Sequence, residues 1–280
     1  MSYYNKNDII ELSFQKINTY SQCGLKYYFK YVEKIPTPST SYVLLGKAFH
    51  KALENYFLEK MKKGENPEVD LLLSTYVDEI DFVASNEEIY LSDDEKTKGK
   101  DKIIDEIKNL GTFGLRIYHK ERAQVIEPLF VEERFEMDLG EASQLVGLEN
   151  EGFNKVKIIG VVDLVNADGT IIDYKTKRGS KGEEADKSQQ LTIYTLWFKS
   201  LYGELPPKCE LDNIILSAKA PRIITTSTQK TEEDIRRLLR RISRIADGIR
   251  KEVYIPPDQS SWVCSYCMYK ILGICKEYPV

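Results

Sequence analysis

Asp163, Asp173 and Lys175 are the side chains of this chain whose types and spacing are best suited to chemistry. The first interrupts the apolar run Val156-Lys157-Ile158-Ile159-Gly160-Val161-Val162-Asp163-Leu164-Val165-Asn166, and the other two end Ile171-Ile172-Asp173-Tyr174-Lys175. Runs this rich in β-branched residues form strands, and Ala167-Asp168-Gly169 between them forms the turn of a hairpin. A buried strand has no ordinary use for a carboxylate, so these charges require a reason.

Register decides whether the charges meet, because a slip of one residue sends a strand's whole side-chain set to the other face. A two-residue Asp168-Gly169 turn pairs Asp163 with Tyr174 and separates the carboxylates. A three-residue loop with Gly169 in the left-handed conformation pairs Asn166 with Thr170, and therefore Asp163 with Asp173, placing Lys175 on their face. Facing carboxylates in apolar surroundings repel unless a cation lies between them. Lys175 supplies one positive charge, which would make the group a buried salt-bridge triad. Two rigid acidic oxygen donors also suit Mg²⁺ or Mn²⁺, which would make it a metal centre.

The rest of the chain must position this hairpin. Its 280 residues are enough for a substantial core, and a charged fraction of 30% beside a hydrophobic fraction of 42% is ordinary for a globular protein. We expect one domain with four parts: N-terminal helices over 1–67, a helical insertion over 68–122, an α/β core over 123–255 and a cysteine-rich tail over 256–280. No apolar run reaches membrane-spanning length, and the first residues lack a signal peptide's apolar segment, so the expected location is cytoplasmic with no membrane partner. A net charge of −4 does not announce a nucleic-acid binder, so any such contact must be local.

Ser13 caps the first of two short helices that meet near Cys23. Residues 44–57 then carry an apolar helical stripe of Leu45, Phe49, Ala52, Leu53, Tyr56 and Phe57, with Gly46, His50 and Glu54 on an adjacent face. Glu54 is placed to orient the His50 imidazole. In the insertion, Ser92-Asp93-Asp94-Glu95 is a capping box that starts a helix in which Gly99, Gly111 and Gly114 are unfavourable interior residues, and His119 is read as structural. The pattern from Gln124 to Leu139 is strand-like. Glu132 and Glu133 lie within it and are expected to face solvent. Residues 140–155 read as a loop or loose hairpin.

After the central hairpin, Lys175 to Gly182 form a basic, Gly-containing loop that phosphate could approach. Asp186 to Leu201 form a helix in which Gln190 and Tyr194 share a face. Two further strands are expected over 209–228, beginning at a buried Cys209. A helix capped at Thr231 buries Ile235, Leu238, Leu239, Ile242, Ile245 and Ile249, and exposes a stripe of Arg236, Arg237, Arg240, Arg241 and Arg244, the expected second strip of phosphate contact. Of the five cysteines, Cys264, Cys267 and Cys275 crowd the tail. In a cytosolic chain such clustering indicates metal rather than disulfides, and three thiols need a fourth ligand.

Asp163 followed by Asp173-Tyr174-Lys175 resembles the signature of the PD-(D/E)XK nuclease superfamily. Gly46-Lys47-Ala48-Phe49-His50-Lys51-Ala52-Leu53-Glu54 and Gln190-Leu191-Thr192-Ile193-Tyr194 resemble two motifs of its RecB-like branch, and the motifs stand in family order. The fold this implies is an α/β nuclease core, a mixed central sheet flanked by helices. Asp163, Asp173, His50 and the Tyr174 backbone carbonyl would bind Mg²⁺ or Mn²⁺, with Lys175 orienting the attacking water and Gln190 and Tyr194 positioning the strand. An early cysteine plus a terminal set is similar to the iron–sulfur clasp of AddB-type and CRISPR-adaptation nucleases, which implies Cys23, Cys264, Cys267 and Cys275 around a 4Fe-4S cluster. A wider last spacing and Gly24 in place of proline leave zinc as the other candidate.

The function so implied is metal-dependent exonuclease action on single-stranded DNA, 5′ to 3′, in recombination, repair or CRISPR adaptation, with a helicase or CRISPR integrase as partner. The same features also suit a nuclease-like subunit that clamps DNA for such a partner, or a structure-specific endonuclease.

Overall fold

The computed structural model describes residues 8–148, 153, 155–217, 221–258 and 260–277. Strand β1 (Ile10–Leu12) is followed by helices α1 (Phe14–Gln22) and α2 (Gly24–Tyr27), the latter running into a π-helical turn over Tyr28–Val32. Ser13 Oγ accepts from Lys16 N to cap α1, and Cys23 is the joint between the two helices. Strand β2 (Ser39–Thr40) leads into the long helix α3 (Ser41–Lys63), which ends at Gly64 with φ 73°. Its buried stripe includes Leu45, Phe49, Ala52, Leu53, Tyr56 and Phe57.

Helix α4 (Val69–Asn86), strand β3 (Ile89–Tyr90) and helices α5 (Asp93–Lys98) and α6 (Lys100–Tyr118) make up the block read as helical throughout. The Ser92 capping box forms as expected. Two readings there are corrected. Strand β3 pairs parallel with β2, and Gly99 is not interior: with φ 88° it closes α5. Gly111 is interior, but a Cβ there would stand 2.1 Å from the Tyr76 ring, so it is the space that lets α4 meet α6.

Strand β4 (Pro128–Asp138) starts later than the pattern implied, leaving Val125 outside it and 71% exposed. Helix α7 (Leu139–Gln144) replaces the expected loop, since Asp138 caps it by accepting from the Gly140 and Glu141 amides. Of the rest of that expected loop, residues 149–152 and 154 lie outside the described residues. Then come β5 (Val156–Asn166), β6 (Ile171–Lys177), α8 (Gln189–Tyr202), β7 (Cys209–Ile215), β8 (Arg222–Thr228) and α9 (Glu232–Arg250). Two one-turn helices, α10 (Trp262–Ser265) and α11 (Met268–Ile271), end the described chain.

Six strands form one mixed sheet: β4 pairs antiparallel with one edge of β5, and the order on the other side runs β6, β7, β8. The other edge of β5 is shared, with β1 parallel to its start at Val156 to Ile158 and β6 antiparallel to its end. Apolar clusters cover both faces. One face carries Ile17, Ile193, Leu196, Leu239 and Ile242 from α1, α8 and α9. The other carries Leu53, Phe57, Tyr76, Ile107 and Leu115 from α3, α4 and α6. The architecture is the expected mixed central sheet flanked by helices.

Lys60 fixes α3 to the sheet. Its ammonium is buried at 3% exposure and donates to the carbonyls of Gln124 and Ile126 at 3.1 and 2.6 Å, closing the chain just before β4. A second polar tie joins α6 to β7. The Arg122 guanidinium meets Glu210 at 2.5 Å and the fully buried Asp212 at 3.0 Å, and Tyr118 Oη donates to the same Asp212.

Candidate metal centre and active site

The hairpin turn uses the three-residue loop. Asn166 N donates to the Thr170 carbonyl at 2.8 Å, Gly169 has φ 84°, and Val165 pairs with Ile171 and Leu164 with Ile172. One step further that register sets Asp163 opposite Asp173, and there the ladder stops. In place of a backbone acceptor, the Tyr174 amide donates to Asp163 Oδ2 at 3.3 Å. The strands thus part at the two carboxylates, and the fork opens into a cleft of about 1960 Å³.

A third carboxylate joins them from β4. Val131 pairs with Leu164 and Glu133 with Val162, so Glu132 lies opposite Asp163, with its backbone left-handed at φ 49°. Glu132, Asp163 and Asp173 therefore form a row across three adjacent strands. Helix α3 closes the row from above with His50, whose Nδ1 is 3.6 Å from Asp163 Oδ2 and 3.8 Å from Glu132 Oε1, while Nε2 is 3.2 Å from the Tyr174 carbonyl oxygen. Donor atoms of His50, Glu132 and Asp163 all fall within 4.8 Å of one another, close enough to share one ion. Asp173 stands beside Asp163 but outside that trio.

Lys175 neutralises part of the row. Its Nζ is 3.1 Å from Asp173 Oδ1 and 2.9 Å from Asp173 Oδ2, yet the second contact lacks hydrogen-bond geometry and leaves that buried oxygen without a donor. Lys175 also donates to Gln190 Oε1 at 2.9 Å, Gln190 Nε2 donates to Tyr194 Oη at 2.5 Å, and Tyr194 Oη donates to Asp163 Oδ1 at 3.4 Å. Asp173, Lys175, Gln190, Tyr194 and Asp163 thus form a chain of polar contacts that runs from one carboxylate to the other and fixes the rotamer of each member. Gln190 and Tyr194 are together on α8 because Ser188 caps that helix and their four-residue spacing repeats one turn.

The protonation states record the crowding. Burial alone would lower the His50 pKa, but Asp163 and Glu132 outweigh it and hold the imidazole at about 9. Burial, and then Asp163, push Asp173 up despite Lys175. Burial would lower Lys175, but Asp173 and Asp163 raise it. A site that must hold protons to offset its own negative charge, and that keeps a buried carboxylate oxygen without a donor, fits a divalent cation.

Two expectations change here. Glu54 does not orient His50; it pairs with Lys51 at 2.9 Å, and the ring is instead bracketed by Glu132, Asp163 and the Tyr174 carbonyl. Glu132 does not face solvent as an ordinary strand residue, because its left-handed backbone brings the carboxylate to the row. Sequence alternation gave Glu132 and Glu133 equal standing, and a left-handed glutamate carries no sequence signal. The arginine stripe of α9 forms but does not line the cleft, and Arg236 and Arg237 pair with Glu232 and Glu233 of their own helix.

At the other end of the cleft, Cys23, Cys264, Cys267 and Cys275 line one small cavity of about 20 Å³. Burial raises the Cys23 thiol, and the nearby Cys267 and Cys264 raise it further. No three of the sulfurs lie within 4.8 Å of one another among the described residues, so this is not a closed single-ion site. Gly24 has a clear physical role beside Cys23: its N–H donates to the Ile255 carbonyl at 2.8 Å, which proline could not do, and a Cβ would meet the Ile255 amide nitrogen at 2.5 Å. Cys209 is apart from the others, buried against Thr195.

Comparison with known proteins bears on the family and the fold. The sequence pattern of the PD-(D/E)XK nuclease superfamily matches residues 11–275. Among solved structures, a candidate exonuclease from Eubacterium rectale superposes with a TM-score of 0.53 over 91% of this chain and 87% of that one, at 12% identity, a likeness of fold. A second, SSO0001, gives a TM-score of 0.33 at 18% identity over 81% of this chain and 96% of that one, too low to bear on the fold. A comparison with curated proteins finds no match.

Proposed function

This chain belongs to the PD-(D/E)XK nuclease superfamily, and from that premise we propose that it is a Mg²⁺- or Mn²⁺-dependent exonuclease acting on single-stranded DNA, with 5′ to 3′ polarity. The observation that carries the reading is the convergence of His50, Glu132 and Asp163 beside the Asp173–Lys175 pair. His50, Glu132, Asp163 and the Tyr174 carbonyl would hold the ion, with Asp173 as a further donor through Oδ2, which accepts no hydrogen bond. The ion supplies Lewis-acid activation of water and offsets charge on the scissile phosphate.

The protein's own residues do the rest. Lys175, held between Asp173 and Gln190, presents an ammonium that orients the attacking water and stabilises charge developing on phosphate. Gln190 accepts from Lys175, which also pairs with Asp173, and so fixes where the ammonium points. Tyr194 steadies Asp163 as the strand slides past. His50 and the Gln190–Tyr194 helix resemble those of end-processing relatives, which favours exonuclease action, and the name of the Eubacterium rectale protein points the same way.

The four cysteines on one cavity support a clasp that joins residue 23 to the tail. A 4Fe-4S cluster is our proposal for the four thiols on the likeness of their order in the chain, with zinc as the other candidate. Iron and zinc content with the visible absorption of anaerobically purified protein tests this directly.

Incubation with Mn²⁺ and 5′- or 3′-labelled single strands, linear and circular, tests the activity. We expect stepwise shortening of linear strands, intact circles, and no cleavage by Asp163→Ala or Lys175→Ala with the fold retained. Cut circles would replace the exonuclease reading with an endonuclease. Tight binding without cleavage would make the chain a DNA-clamping subunit for a partner helicase or integrase.

A further inference from the structure

Arg178 follows directly after β6, three residues beyond Lys175, and lines the same cleft. Its guanidinium carbon sits 3.4 Å from the centre of the Tyr42 ring, a stacked cation–π contact between the end of β6 and the first turn of α3. Among the described residues it has no carboxylate or carbonyl partner, in contrast to Lys177, which pairs with Glu183. Arg178 is exposed, within reach of a ligand in the cleft. A guanidinium stacked by its face keeps its N–H donors directed outward in the plane, the geometry that meets phosphate oxygens in pairs.

Position gives the contact its meaning. At about 3.3 Å per residue, the Arg178 backbone lies about 10 Å along the strand direction from that of Lys175, and its guanidinium is held at the Tyr42 ring rather than at the carboxylate row. Between them Gly46 of α3 passes close to β6, where a Cβ would stand in ordinary contact, 3.6 Å, with the Thr176 hydroxyl oxygen, and the residues on either side line one cleft. A strand lying in the cleft with one phosphate at the carboxylate row therefore carries a neighbouring phosphate past Arg178.

We propose that Arg178, held flat by Tyr42, is the anchor for a substrate phosphate flanking the scissile one, and that Tyr42 acts through Arg178 as a positioning residue. This rests on the nuclease reading above. Arg178 brings the phosphate to a fixed distance from the carboxylate row, so its contribution falls on substrate capture and register. Tyr42 stops the flexible arginine from wandering or from pairing with nearby acids.

Binding of a labelled single-stranded oligonucleotide by the full chain, in chelator so that no cleavage occurs, tests this across a series of KCl concentrations. Arg178→Ala is expected to weaken binding about tenfold at moderate salt and to lower the slope of log affinity against log salt by about 0.7, one phosphate contact on a single strand. Tyr42→Leu should give most of the same loss, and the double variant no more than Arg178→Ala alone. Lys62→Ala, an exposed cation that does not line the cleft, reports the background effect of one lost charge. In Mn²⁺, the Arg178→Ala loss should appear in KM far more than in kcat. Oligonucleotides with a 5′-phosphate or a 5′-hydroxyl show which phosphate is held: equal losses mean an internal one, and a loss confined to the phosphorylated strand means the terminal one. An unchanged salt slope for Arg178→Ala, or losses that multiply in the double variant, overturns the anchor. Failure of the wild-type chain to cleave in Mn²⁺ sinks the nuclease reading instead, and is read separately.

Discussion

Glu132 offers a sharp test, because its backbone and its side chain pull stability in opposite directions. A left-handed conformation costs a non-glycine residue roughly 1–2 kcal/mol, and Glu132 adopts it at φ 49°. Glu132→Gly removes that strain but adds glycine's chain entropy in the unfolded state, about 0.5–1 kcal/mol. The exchange with His50, 3.8 Å away with both side chains partly exposed, contributes less than about 1 kcal/mol. In chelator the glycine variant should therefore be about as stable as wild type, and about 1 kcal/mol more stable than Glu132→Ala, which loses the side chain and keeps the strain. For a chain of this size that is about 2 °C in Tm. Saturating Mn²⁺ lifts wild type above both variants. At a hundredfold excess over Kd wild type gains about 2.7 kcal/mol, whereas a variant bound 10–100-fold more weakly gains only about 0.4–1.4 kcal/mol. Differential scanning calorimetry with and without Mn²⁺ reads both terms. Glycine less stable than alanine in chelator, or a full Mn²⁺ gain in either variant, would refute the reasoning.

Mn²⁺ affinity should rise with pH. Below about 9 the His50 imidazole holds a proton that the ion must displace, so calorimetric Kd should fall up to tenfold per pH unit between 6 and 9 and flatten above, with proton release visible across buffers. A flat profile would contradict this. Arg122→Met leaves the buried Asp212 without its cation and should cost about 3–5 kcal/mol in urea unfolding; a loss under 1 kcal/mol would mean that the hydroxyls of Tyr118 and Thr225, which both donate to Asp212, suffice to hold it. Gly24→Ala must push aside the Tyr254–Ile255 backbone. It should lower the iron or zinc bound per chain at least twofold while Mn²⁺ binding at the carboxylate row is kept, and full retention would separate the clasp from this contact.

Much of the site is legible in the sequence because local chemistry dictates it. The hairpin and its turn residues are plain in the sequence, but Ala167-Asp168-Gly169 allowed two registers, and the structure takes the three-residue loop that sets Asp163 opposite Asp173. Helical spacing places Gln190 under Tyr194, and capping boxes at Ser92 and Thr231 start their helices where expected. What escapes is set by tertiary contact. Glu132 reaches the row through a backbone state that glutamate rarely adopts. Glu54 shares a helix face with His50, yet a neighbouring Lys51 claims it. Helix α7 is only six residues long, too short for its Leu139 and Ala142 to show a pattern, and it starts at the Asp138 cap. The Tyr42–Arg178 stack joins residues with 135 positions between them in the chain, which no local pattern announces.

Crystals of the chain soaked in Mn²⁺ and measured at the manganese absorption edge test the metal centre most directly. The expected result is one strong anomalous peak bounded by His50, Glu132, Asp163 and the Tyr174 carbonyl, lost in Asp163→Ala. Manganese found only elsewhere, with Lys175 still closed on Asp173 and the trio bare, would reduce the carboxylate row to a structural salt bridge.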